Sequence, residues 1–114
     1  INTGNIGLAF KNIVDKIQNI KHFIYTWKTS TLSLRMGLFL LSEKIIDHDK
    51  ELFNTLVPDL IDILSSSDAT LRGDTLDLLT QIGHNDAIEP IKKLLDDPNP
   101  DIVELAKDAL EELS

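Results

Sequence analysis

The stretch DATLRGDTLDLLTQI, residues 68–82, decides the fold, because two other stretches lie over it in register. They are TLSLRMGLFLLSEKI from Thr31 and NPDIVELAKDALEEL from Asn99. Leu34, Leu71 and Ile102 share one column; Leu38, Thr75 and Ala106 the next; then Leu41, Leu78 and Ala109; then Ile45, Ile82 and Leu113. The columns are spaced 4, 3 and 4, the period of one face of an α-helix. One helix is therefore predicted three times, at offsets of 37 and 31 residues, with these columns turned to the core.

A second helical pattern precedes each copy. ELFNTLVPDLIDILSS and DAIEPIKKLLDDPN match through Leu60 with Ile91, Ile63 with Leu94 and Leu64 with Leu95, and the turn residues SSSD and DPNP follow them. Asp86 and Glu89 are expected as a capping pair. Ahead of the first copy, Ile6, Phe10, Ile13, Ile17, Ile20, Ile24 and Trp27 alternate spacings of 4 and 3, with Phe23 off the stripe. The expectation is six helices in three hairpins: 6–28 with 31–47, 50–66 with 68–82, and 86–97 with 100–113. No segment alternates as a half-buried strand does, so the class is all-α. One such hairpin cannot bury its apolar face alone, whereas three stacked hairpins bury a continuous core.

IEPIKKLLDDPNPDIVELAKDALEEL and VPDLIDILSSSDATLRGDTLDLLTQIG resemble HEAT-like repeats of the short kind: an outer helix with P-x-x-x-L-L, a D-P-N-P turn, and an inner helix V-R-x-x-A-x-x-A-L. The first unit is degenerate and keeps SLRMGLFLL. The resemblance covers 51–114 well and the rest loosely. It implies a right-handed α-solenoid, an α-α superhelix, filling residues 1–114 as one domain with repeats at 6–47, 50–82 and 86–113. In such repeats the inner-helix Arg pairs with the Asp of a neighbouring inter-helix turn. Carried over, Arg72 is expected to meet Asp97, with Arg35 in the same column one unit earlier and Val103 breaking the ladder. Arg72-Gly73-Asp74, an adhesion signal in some extracellular proteins, is then helical rather than a loop tip.

Charge divides the 114 residues unequally. Residues 1–50 carry seven Lys/Arg against four Asp/Glu, and residues 51–114 carry four against fifteen, giving +3 and -11. The anionic surface of the C-terminal half repels phosphate backbones, so no nucleic-acid partner is expected and a basic protein patch is favoured. No apolar run reaches membrane-spanning length, and INTGN lacks a signal-peptide layout, so the expected setting is cytoplasmic and no membrane partner is expected. Because the first residue is Ile1, a longer parent or removed residues are expected.

No catalytic residue, metal or cofactor is expected. There is no cysteine, and His22, His48 and His84 fall in different hairpins without a second ligand at metal-binding spacing. Lys11, Lys16, Lys21 and Lys28, with Tyr25 and Trp27 among them, form the one basic and aromatic patch, and the stripe from Ile6 to Trp27 could also be a coiled-coil seam. Core packing is the preferred reading of that stripe. Phe39 and Leu76 share a flank position where a neighbouring repeat packs; Lys107 fills it in the third copy, so the array is expected to end there, with the first helix as its N-terminal cap.

Solenoids usually bind on the concave surface of their inner helices. The outward residues there are Gly37, Leu40 and Lys44 in the first unit, Asp74, Asp77, Thr80 and Gln81 in the second, and Asp108, Glu111 and Glu112 in the third. Lys44, Asp74, Asp77, Gln81, Asp108 and Glu112 are the candidate partner-binding set; Arg35, Arg72 and Asp97 are structural. The expected function is a non-catalytic interaction module or scaffold, binding a protein or another domain of its parent chain. The alternative is an accessory segment of a larger enzyme, since such repeats resemble those of bilin-attaching lyases and of helical tails on thioredoxin-like proteins. A HEAT-like DNA glycosylase needs a basic groove, which the acidic ridge opposes.

Overall fold

The computed structural model describes residues 22–114, and these are helical with no strand. Helix α1 covers 22–29 of the described residues. It is followed by α2 (Leu32–His48), α3 (Lys50–Asn54), α4 (Val57–Ile63), α5 (Ala69–Ile82), α6 (Ile88–Lys93) and α7 (Pro100–Leu113). The stripe residues Ile6, Phe10, Ile13, Ile17 and Ile20, and with them the N-terminal cap and the coiled-coil seam, lie outside the described residues, as do Lys11, Lys16 and Lys21.

Each of the three long helices starts on a polar cap. Thr31 Oγ1 accepts from Leu34 N, Asp68 Oδ1 from Thr70 N and Leu71 N, and Asn99 Oδ1 from Asp101 N, so donors that the first turn leaves unpaired are satisfied. Pro100 sits in the first turn of α7, where no amide donor is needed. Helix α5 stops at Gly83, which adopts φ 73° and donates its N–H to Leu79 O at 3.0 Å. Only glycine enters that left-handed region without steric cost.

Two segments depart from the expected single helices. The stretch 50–66 is broken at Thr55–Leu56 into α3 and α4. Pro58 has no N–H to give to the carbonyl of Asn54, and its ring crowds that carbonyl, so the helix restarts with the proline in its first turn. The expected helix 86–97 is helical only to Asp96 and changes pitch, with 3₁₀ turns Asn85–Ala87 and Leu94–Asp96 flanking α6 and Asp97 extended. The expected capping pair of Asp86 and Glu89 does not form. His84 caps instead, its Nδ1 accepting from Asp86 N at 3.1 Å, while Glu89 accepts from Lys92 Nζ. The helical stretch begins at Asn85, so His84, two residues before the expected cap Asp86, stands in front of its first free N–H groups.

Helix α5 is the centre of the molecule, packed against α2, α4 and α7. Leu71, Thr75, Leu78 and Ile82 are buried, and so are Leu76 and Leu79 on the adjoining row. Trp27 is fully buried at the join of α1 and α5, where its Nε1–H donates to Thr75 Oγ1 at 2.8 Å. Phe23, off the expected stripe, is buried too; it stacks on Trp27 with centroids 5.7 Å apart and meets Phe53 edge-on at 5.5 Å. Such geometries suit the aromatic quadrupole. Trp27 therefore belongs to the core, and of the expected aromatic patch only Tyr25 is exposed.

Helix α2 is rotated from its expected orientation. Leu34 and Leu41, predicted to face the core, are 49% and 51% exposed, while Leu38 and Ile45 are half-buried. The inward row is one residue later: Arg35 and Ser42 are buried, with Phe39 and Ile46 half-buried between and beyond them. The cause is Arg35, whose guanidinium is drawn inward to an acidic partner on α5 and to a backbone carbonyl.

Candidate functional site

Arg-Gly-Asp is inside α5, and its three residues face three ways. Gly73 is buried where α7 crosses: a Cβ there would meet Ile102 Cδ1 at 3.1 Å and Leu105 Cδ1 at 3.4 Å. Arg72 donates through Nε and Nη2 to the two carboxylate oxygens of Asp97, each at 2.9 Å, and through Nη1 to Ser66 O at 2.9 Å. A fork-on-fork pair of this kind is planar and charge-assisted. Asp97 also accepts from Asn99 N at 2.9 Å, and the Arg72 hydrogen bond in the first place holds its carboxyl below the ordinary aspartate range, outweighing desolvation.

Arg35 takes a different partner. Its Nε donates to Asp74 Oδ2 at 2.8 Å and its Nη1 to Ser30 O at 2.8 Å. In the matched turns Ser66 stands where the next turn has Asp97, so no turn carboxylate faces Arg35. The guanidinium reaches α5 instead. Asp74 is thereby held in an ion pair and is not a free member of the candidate ridge.

Asp77 is one turn beyond Asp74 and is exposed. Its neighbouring atoms strip water from the carboxyl and Asp74 adds a like charge, so its pKa is raised. Both effects disfavour the anion. Asp74 and Asp77 line a shallow cavity of about 200 Å³ with Trp27, Arg35, Met36, Phe39 and Leu40. Met36 and Leu40 are 61% and 60% exposed. The result is an apolar wall on α2 facing a carboxylate on α5.

The other candidates do not join this cavity. Lys44 is exposed and lines a separate apolar groove with His22, Phe23, Leu41, Ile45 and Leu52. Gln81 is half-buried, and its Oε1 is enclosed without a hydrogen-bond partner. Asp108 and Glu112 are exposed on α7. The sequence reading put Leu40 outward but missed Met36 and Phe39 as the wall opposite Asp77. The available signal was the spacing of Met36 and Leu40, one turn apart on the same face as each other.

Among the described residues, no group of three His, Asp or Glu side chains is placed to hold a metal ion, and no helix is long and apolar enough to cross a membrane. Comparison with protein-family models and with curated proteins finds no match to this chain.

Proposed function

We propose that the chain is a HEAT-like α-solenoid and a non-catalytic interaction module, whose inner helices α2, α5 and α7 offer a protein partner a surface that is apolar on α2 and acidic on α5 and α7. The solenoid reading is supported by α5 packing between α2 and α7 and by the recurrence of an inner-helix arginine paired to an aspartate in two successive units. The partner-binding reading is carried by one observation: Asp77, its charge disfavoured by its surroundings, faces exposed Met36 and Leu40 across the small cavity. A cation placed there relieves the raised pKa, and an apolar side chain beside that cation covers the wall. The fitting ligand is a Lys or Arg flanked by apolar residues, on an amphipathic helix or an extended segment. Asp108 and Glu112 steer such a ligand, since rim charges act mainly on association rate.

The test is an NMR titration with a designed peptide that carries Leu and Lys on one helical face. Shifts centred on Met36, Leu40 and Asp77, lost in Asp77→Lys with the fold intact, are expected. Equal shifts in the Asp77→Lys variant, or shifts spread over every surface carboxylate, would show mere charge attraction and reject the site.

A further inference from the structure

The two ends of the helix row α2, α5, α7 differ in chemistry. At the α7 end, the position equivalent to Gly73, which lies under α7, is Glu104, and the position equivalent to buried Leu76 is Lys107. Both are exposed, paired with each other at 3.3 Å. That face meets water. At the α2 end the pattern is reversed. On α5, Leu71 and Leu78 are buried and Asp74 between them is bonded to α2; the matching residues on α2 are Leu34, Gly37 and Leu41. Leu34 and Leu41 are about half exposed, and a Cβ built on Gly37 meets nothing within 4 Å. Beside them runs the groove of about 620 Å³ between α1 and α2, walled by Phe23, Leu38, Leu41, Ile45 and Leu52. Of the large apolar side chains exposed on α2, Leu34 and Leu41 lie on this side of the helix, whereas Met36 and Leu40 lie on the other side and line the Asp77 cavity. Two leucines half in water beside an apolar groove mark a contact face.

We infer that this face binds a second copy of the chain, α2 against α2, in a two-fold dimer. Three observations favour a copy as the occupant. The α2 face continues the surface by which α5 receives α2, so it is shaped to take a helix. It is also self-complementary: an antiparallel crossing centred at Gly37 sets Leu34 of each copy over Leu41 and the groove mouth of the other, and the missing side chain at Gly37 lets the helix axes come close. Finally, the charge distribution selects this end. Residues 51–114 carry a net charge of -11, whereas the described residues 22–50 carry four Lys/Arg against three Asp/Glu, a net of +1, so contact through α2 keeps the two anionic halves apart. A head-to-tail stack would bury the Glu104–Lys107 face against leucines and is disfavoured. The dimer uses a face separate from the Asp77 cavity, and neither proposal depends on the other.

Sedimentation velocity of the 114-residue chain at increasing concentration tests this. The expected species has twice the 12.8 kDa chain mass. Leu34→Glu and Leu41→Glu place charges at positions already half in water, so helix content should hold while self-affinity falls roughly tenfold or more. Gly37→Phe, whose Cβ finds open space in the free chain, should block the close crossing and dissociate the dimer as well, with circular dichroism showing the helix content retained. Asp77→Lys should leave it intact. A chain that stays monomeric at every concentration overturns the inference, and so does a dimer that withstands Leu41→Glu and Gly37→Phe.

Discussion

Replacing Arg72 by Met isolates the contribution of the Arg72–Asp97 pair. Methionine keeps an unbranched apolar stem but removes three donated hydrogen bonds, two to Asp97 and one to Ser66 O. The two side chains are only 11% and 4% exposed, so the pair is far from the surface limit at which ion pairs contribute little. Both residues are only part-buried, so the pair stands between an exposed and a fully buried one; hydrogen bonds to a charged group contribute about 1.5–3 kcal/mol, and Asp97 keeps the Asn99 N–H at 2.9 Å, so a loss of about 2 kcal/mol is expected. With a urea slope of about 2 kcal/mol/M, the unfolding midpoint should fall by roughly 1 M at pH 7. The sign of the pH dependence follows from the depressed pKa of Asp97. Its stabilisation is complete above the ordinary aspartate value of 3.8 and is lost as pH falls through the lower folded value. The gap between wild type and Arg72→Met should therefore narrow below about pH 4, as Asp97 takes up a proton in both proteins. A penalty under about 1 kcal/mol at pH 7, or a gap unchanged in acid, would refute the reasoning.

Thr75→Val keeps the shape of the residue but leaves the buried Trp27 Nε1–H without an acceptor, and chemical denaturation should show a loss of about 1–3 kcal/mol. Gly83→Ala forces an L side chain into φ 73°, with an expected cost of about 1–2 kcal/mol by the same assay. Asp77→Asn should stabilise the free protein at neutral pH, because the folded pKa is raised and the ionised carboxyl is the disfavoured form. That gain should shrink as pH falls through the raised value, which a pH series of melting curves would show.

Repetition made the helices legible. The 4-3-4 columns place the inner helices within a residue or two of α2, α5 and α7, and three polar residues that precede them, Thr31, Asp68 and Asn99, are their caps. What periodicity could not supply was the rotation of α2. Its sequence is apolar nearly all the way round from Leu32 to Leu41, so two adjoining rows fit the core equally well. The choice depends on Arg35, a charged residue whose acceptor Asp74 is 39 positions away. The same limit hid the candidate cavity. Asp77 was legible as an outward carboxylate, but the facing Met36 and Phe39 come from another helix, and helix-to-helix juxtaposition has no local signature. The break at Pro58 was legible in principle, since proline marks a helix start as well as an interruption.

The hydrogen bond from Trp27 to Thr75 has an experimental consequence. Trp27 is the only tryptophan in the chain, and it is fully buried against a residue 48 positions away on α5. Indole emission therefore reports the seating of the first hairpin on the second, whereas far-ultraviolet circular dichroism reports helix content throughout. If the first hairpin lifts off before the others melt, the fluorescence curve will lead the dichroism curve, and the separation of their midpoints measures how tightly that hairpin is coupled to the remainder.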